Sequence, residues 1–404
     1  PISLENIEFE RLDNNRISVR VSFNNPSSYT VKNIRVEGMD AKISNITNQN
    51  GKTYVNFIGT PTKYYDSYQI SEVIYEENRE EKVQDIEGKI EVQFFKELYT
   101  YEDWQSIEEG TFQNYRLMAD IDFAGKKDMK TNVGMNRLES PGEKHSLKNI
   151  EIEVNESSFG IIGTIKESMK NISFENIKIT NKNSENRVGV IAMSSADLEN
   201  ISWNHITIHA QNMGEVGCIG YSDGESMKQI ELDDIEIKAK ENAGGFIGKI
   251  TIPNTDNITA DNIRVDGGHN VGGLMGGDII QRKGYTMKNI TITNSNVIGN
   301  NYVGGVFARI SGKMGDQSKN LKAEKTNVTG SSYVGGIAGS MLDGSEYYCN
   351  QVTIKGSGSY IGGIGGFFSG NRAFVTNSTI EGSTSNSNYV GGIAGASNWN
   401  GLAC

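Results

Sequence analysis

Cysteine and proline are scarce in this chain of 404 residues, with three of the first and five of the second. Cys218, Cys349 and Cys404 stand far apart, so they supply neither a disulfide framework nor the paired spacing of a zinc site. So few cysteines suit the cytosol and secreted bacterial proteins alike, and leave the compartment open. No apolar run reaches the roughly 18 residues that a membrane-spanning helix requires, no stretch of the given residues reads as a signal peptide, and a start at Pro1 without Met is what a processed or trimmed product would show. Positive charge is also short. A net charge of −11 argues against a nucleic-acid partner, which needs clustered lysine and arginine. What the chain has in excess is glycine, 47 residues, and with 36% hydrophobic residues this composition fits a β-rich folded protein.

The glycines are not scattered. Between Phe159 and Gly395 one short pattern recurs nine times: an apolar residue, one or two glycines, then small and apolar residues. Its closing residues are Gly163, Ala192, Gly220, Gly248, Gly276, Ala308, Gly339, Gly366 and Gly395, about 27 to 32 residues apart, a period that signals stacked supersecondary units. A second column keeps the same step: Asn171, Asn200, Gln229, Asn257, Asn289, Asn320, Asn350 and Asn377. Asn176, His205, Asp234 and Asn262 form a further in-step set.

Between these columns the chain reads as short alternating strands such as Asn171-Ile-Ser-Phe174 and Asn257-Ile-Thr-Ala260, with no sustained helical period. Three short strands and three corners fit in one period, which points to a parallel β-helix whose coils pair with those above and below. Nine coils at ~4.8 Å would make a rod of roughly 40 to 45 Å. Asparagine suits its corners, because it tolerates the left-handed conformation and its amides bond to one another along the axis. Strand parity does not allow both Val334 and Ile337 to face inward, so Gly335-Gly336 must be a corner or a bulge.

Residues 1–97 lack the repeat. Alternating runs at Arg16–Phe23, Val31–Val36, Lys52–Phe57 and Lys89–Phe94, separated by turn signals such as Asn50-Gly51, suggest about seven strands and an immunoglobulin-like sandwich. The acidic run Glu76–Glu81 reads as a solvated loop. Thr100 is placed to cap a short helix over Glu102-Asp103-Trp104, which would cover the open end of the first coil. After Gly395 the chain stops where another coil should follow, so a segment of a longer protein is expected. The expected class is therefore all-β: an N-terminal immunoglobulin-like β-sandwich (1–97), a short helical N-terminal cap and first coil (98–145), and a right-handed parallel β-helix (146–404) open at its C-terminal end.

Val334-Gly-Gly-Ile-Ala-Gly339, nearly repeated at Val390–Gly395, resembles the GLUG motif of bacterial surface proteins. Tyr101-Glu-Asp-Trp-Gln-Ser-Ile107 followed by Tyr115–Asp122 resembles the module that precedes such repeats in the immunoglobulin A-cleaving zinc metallopeptidases of Gram-positive bacteria and in related adhesins. The resemblance covers about residues 98–404, and Ser22–Pro26 extends it toward the N-terminus. It implies an extracellular protein of the cell wall or cell surface, and names an architecture more firmly than a reaction.

The catalytic motif of those peptidases, His-Glu-x-x-His, is missing. Of the four histidines, His145, His205, His209 and His269, the pair His205 and His209 has the right spacing, but Ile206 stands where glutamate should and the segment reads as strand. Asp233, Asp234, Asp261 and Asp266 are the nearest set for paired acid and base work, with Asp234 expected close to Asp261, although turns collect aspartate in any case. No catalytic residue, metal ligand or cofactor is assigned. The candidate ligand-binding column is Tyr302, Tyr333, Tyr360 and Tyr389, each immediately before the Val or Ile of a glycine turn. These rings should point outward and stack at about 4.8 Å, as a stabilising ladder or as a platform for sugar or peptide.

Three functional readings follow. The first is a non-catalytic adhesion or spacer region that binds a host glycan or protein ligand, as a monomer and without membrane insertion. The second is the accessory substrate-recognition region of a secreted zinc metallopeptidase whose catalytic domain lies beyond Cys404. The third is a polysaccharide lyase or glycosidase built on a β-helix.

Overall fold

The computed structural model describes residues 1–251, 254–280, 286–313, 318–342, 346–383 and 389–397. Cys404 and most of the segment after Gly395 on which the open end was read lie outside the described residues. The chain divides into two compact units: residues 1–97 with 113–116, and residues 98–112 with 117–404.

The first unit consists of two antiparallel sheets. One has the order β1 (Ser3–Asp13), β2 (Arg16–Asn24), β5 (Lys52–Pro61), β4 (Met39–Gln49), and the other β3 (Thr30–Val36), β6 (Tyr68–Glu77), β7 (Glu80–Ile90). Alternation along β2 sends Ile17, Val19, Val21 and Phe23 into a core shared with Ile34, Phe57, Tyr68 and Ile70. Asn50 and Gly51 both have positive φ and close the β4–β5 hairpin, as an Asn-Gly turn should. Asn25 is buried, and its amide donates to the Tyr29 carbonyl and the Thr53 hydroxyl.

Two local expectations need correction. The run Lys89–Phe94 is not one strand: β7 ends at Ile90, although Val92 and Phe94 are still buried. The acidic run is not a loop but the tip of the β6–β7 hairpin, where Asn78 and Arg79 adopt positive φ and Glu76 faces Glu81. The tight turn overrides the like-charge repulsion that the composition advertises.

The second unit is a parallel β-solenoid. Nine strands from Ser158–Phe159 to Val390–Gly391 pair in chain order along one side, one per coil. The remaining sides are joined in a larger sheet whose strands bend through two corners, as in Ile162–Asn181 and Asp197–Ala210. Registers are in step, so like meets like. Ile172, Ile201, Ile230, Ile258, Ile290 and Leu321 pair in succession, and all are fully buried. Burying each such side chain contributes roughly 1.5–3 kcal/mol. Phe174 and Trp203 stack inside with ring centroids 4.4 Å apart. Cys218 and Cys349 are buried free thiols of the same interior.

Corners are where the sequence columns act. Asn171, Asn200, Gln229, Asn257, Asn289 and Asn320 all have φ between 54° and 60°. Asn176, His205, Asp234 and Asn262, with φ between 51° and 56°, take the next corner. Asparagine amides bond between coils: Asn200 donates to Asn171 at 2.8 Å, Asn176 to Asn149 at 2.9 Å, and Asn320 to Asn289 at 2.8 Å. The spacing misled at two places. Glu346 and Arg372, not Asn350 and Asn377, occupy the first corner in the later coils, and Asn377 belongs to the second. A run of Asn-containing turns at nearly constant intervals hides which of two adjacent corners each belongs to.

Val334 and Ile337 are both buried because Gly335-Gly336 is a corner, between the strands Ser332–Gly335 and Ala338–Leu342. Neither glycine is left-handed. What they supply is closeness: a Cβ on Gly335 would collide with the carbonyl oxygens of Ala338 and Ile364 and with Gly365 Cα in the next coil.

At the start of the solenoid unit, α1 (Tyr101–Gln105) is capped by Thr100, whose hydroxyl accepts from the Asp103 N–H while the Asp103 carboxylate accepts from the Thr100 N–H. Trp104 is fully buried edge-on against Phe123, and its Nε1 donates to the Lys130 carbonyl. Among the described residues no helix is long and apolar enough to cross a membrane.

Gly335→Ala should destabilise the solenoid by about 3 kcal/mol, because the clash is with backbone rather than with a movable side chain. Ser357→Ala, at an exposed position, should lie within about 0.5 kcal/mol of the parent. Urea unfolding midpoints of the two variants check the contrast.

Candidate functional site

A third corner runs along the solenoid and changes character halfway. Arg187 and Glu215 stand at this position in the earlier coils; Asn242 and Asn270 follow, with φ of 45° and 59°, and the Asn270 amide donates to Asn242 at 3.2 Å. Tyr302, Tyr333, Tyr360 and Tyr389 then follow at the same position, with φ of 56°, 55°, 65° and 63°. Left-handed backbone costs a non-glycine residue roughly 1–2 kcal/mol, and tyrosine lacks the short polar side chain that relieves it in asparagine. Something must hold it there.

The rings do. Tyr302 and Tyr333 have centroids 4.6 Å apart, Tyr333 and Tyr360 4.6 Å, and Tyr360 and Tyr389 5.1 Å, with planes within 18° of parallel. Each pair contributes roughly 0.5–1.5 kcal/mol beyond its buried area. The Arg309 guanidinium lies over the Tyr302 ring at 4.6 Å. Closing glycines give the column its footing: a Cβ on Gly339 would stand 2.6 Å from Tyr302 Cα. Burial between its neighbours pushes the Tyr333 phenol up from its ordinary range. Tyr389 is 61% exposed, and its ring is the one most open to a ligand.

The sequence-predicted carboxylates are divided differently. Asp233, not Asp234, stands opposite Asp261 in the register. Asp261 accepts from Thr293 and Asn294, both at 2.6 Å, while Asp234 is bonded to His205 at 2.5 Å and to Arg264 at 3.0 Å. Asp266 sits farther along the outer face, at the register position of Lys238. Strand pairing thus places Asp234 and Asp261 on neighbouring rather than facing positions of adjacent coils. The His205 contact most strongly, against the opposing effect of burial and with help from Arg264, holds the Asp234 carboxyl below its usual range, and hydrogen bonds from Thr293 and Asn294 do the same for Asp261. Both stay ionised, so neither is set up as a proton donor.

His205 and His209 lie on one strand but serve different corners of a charged cluster that the sequence does not announce. His209 Nε2 meets Glu236 at 2.6 Å, and Arg264 forks between Asp234 at 3.0 Å and Glu236 at 3.4 Å. Only the register, one period apart in each case, brings these five together. Among the described residues no group of three or more His, Cys, Asp or Glu could hold a metal ion.

Beside this cluster lies a groove of about 510 Å³. The turn Phe123–Lys127 forms one wall, and Asn149, Asn176, Lys178, His205 and Thr207 line the outward face of three successive coils. Its signal in the sequence is weak, because the wall is a five-residue turn outside the repeats.

Tyr333→Ala removes two ring stacks while keeping the left-handed corner, and should cost about 1–3 kcal/mol. Tyr333→Asn should recover part of that loss, because asparagine accepts the corner; urea unfolding of both variants tests this ordering. Glu236 is lowered chiefly by its bond to His209. Because Asp234 and Glu236 have depressed folded-state values, their stabilisation is present above the ordinary values of 3.8 and 4.5 and is lost as pH falls through the lower folded values. Midpoints measured from pH 7 down to about pH 2 should drop at the acid end, and Asp234→Asn with Glu236→Gln should flatten that drop.

No protein-family profile, curated protein or solved structure matches this chain.

Proposed function

We propose that this chain is a non-catalytic spacer and adhesion region of a bacterial extracellular surface protein, with an immunoglobulin-like N-terminal unit and a right-handed solenoid that binds a host glycan or protein ligand. The observation that carries the reading is the tyrosine column, four rings held at left-handed corners by mutual stacking, of which Tyr389 is exposed among the described residues. A ring stacked on both faces stiffens the rod, whereas an exposed ring offers a face to the C–H bonds of a sugar. Corner ladders along the axis make the scaffold resistant to bending, which suits a spacer. The resemblance of Val334–Gly339 to the GLUG motif supports placement at the cell surface.

A lyase or glycosidase is the weaker reading. Asp234 and Asp261 are engaged in structural hydrogen bonds that favour their ionised forms, while a general acid requires the opposite shift.

The test is retention of the full chain on an array of immobilised host glycans and extracellular-matrix proteins. Wild type should be retained on at least one, and Tyr389→Ala should weaken retention about fivefold, the loss of one aromatic contact. Absence of retention throughout, or depolymerisation of any polysaccharide in the panel, would overturn the proposal.

A further inference from the structure

The groove beside Phe123–Lys127 coincides with an interruption in a corner ladder. From its N-terminal end the second corner runs Asp122, Asn149, Asn176, each amide donating to the oxygen of the preceding coil at 2.9 Å. The next coil should supply a donor to the Asn176 oxygen. It has His205 instead, and His205 bonds forward, Nδ1 to the Asp234 carboxylate at 2.5 Å. Among the described residues the Asn176 Oδ1 therefore has no hydrogen-bond donor, and His205 Nε2 has no partner. Both residues are exposed and line the groove.

The groove is also the electrical opposite of the chain. Lys126, Lys127 and Lys178 line it against a single glutamate, Glu151, whereas the chain carries a net charge of −11. Glu151 pairs with Lys178 at 3.7 Å, and Lys126 lies over the Tyr101 ring at 4.8 Å, leaving Lys127 as the lysine of the wall with neither contact. The wall itself is fixed. Asp122 accepts from the Ala124 N–H, Lys126 N–H bonds to the Phe123 carbonyl at 2.9 Å, and the Phe123 ring packs on Trp104. Of its larger apolar lining residues, Phe123, Ile150 and Ile177 are 2%, 3% and 1% exposed, while Ala124 on the turn is open to solvent. The polar groups offered are amide, hydroxyl, imidazole and ammonium.

We infer that this groove binds an acidic oligosaccharide, its hydroxyls meeting Asn176 and His205 at the ladder break and its carboxylate or sulfate meeting Lys127. A peptide is disfavoured, because the floor strands are already paired on both edges and no apolar recess waits for side chains. A sugar chain needs neither. It needs polar groups repeated along a line, which successive coils supply. The inference gives a ligand class to the adhesion reading and rests on it, but it uses residues remote in sequence from the tyrosine column.

The experiment is calorimetric titration of the full chain with a hyaluronan tetrasaccharide, a heparin tetrasaccharide, neutral chitotetraose and hexaglutamate. At least one acidic sugar should bind, at least about tenfold more tightly than chitotetraose or hexaglutamate, and more weakly as salt is raised. Lys127→Glu, on an exposed turn, should weaken that binding about tenfold. His205→Asn, which keeps a corner-compatible residue, should weaken it severalfold, and Ser357→Ala, at an exposed position that does not line the groove, should leave it unchanged. Equal binding of hexaglutamate, indifference to Lys127→Glu, or no heat with either acidic sugar overturns the inference. If retention on the array survives and still depends on Tyr389, the groove alone has failed; if retention is also lost, both have.

Discussion

Paired strand residues of the solenoid meet a counterpart about 4.8 Å away in the next coil, and this repetition along the axis governs what each position can hold. A side chain is useful there if it can bond to, or pack on, a copy of itself. Isoleucine does so inside, asparagine by amide-to-amide bonds at corners, and tyrosine by ring stacking. Glycine is required where two backbones come within van der Waals contact, as at Gly335. A single substitution is therefore felt by three coils.

The same constraint explains the sites. Where a column keeps one residue type, its bonding capacity is used up between coils and the surface is inert. Where the type changes, capacity is left over or redirected. At the third corner the change from asparagine to tyrosine produces a column of four stacked rings. At the second, the change from Asn176 to His205 redirects bonding into the Asp234, Glu236 and Arg264 cluster and leaves an acceptor facing the groove. Interruptions of the repeat, rather than the repeat itself, create the places where a ligand could be recognised.

Much of this was legible beforehand for a physical reason: stacking forces equivalent positions to recur, so a period of about 28 residues in one dimension reports contacts in three. The tyrosine column and its stacking followed from four residues each preceding the Val or Ile of a glycine turn, of which Val303, Val334 and Ile361 are buried. Less legible was which corner a given asparagine serves. Asn350 and Asn377 fit the period of the first corner, yet pairing of Glu324 with Asn350 and of Asn350 with Thr376 puts Asn377 at the second corner, level with Gln351, and Asn350 one residue before it.

What the amino-acid order alone determined is the periodic part: an all-β chain, a parallel solenoid of about nine coils, the inward isoleucines and the self-stacking corners. These depend on residue type and spacing, which a linear text preserves. Only the tertiary structure decided which unlike residues meet: His205 with Asp234, Arg264 between two carboxylates, Gly335-Gly336 as a corner, and the turn Phe123–Lys127 as the wall of a groove. Those outcomes depend on register and on a non-repeating segment folding back against the repeats, and neither has a period to read.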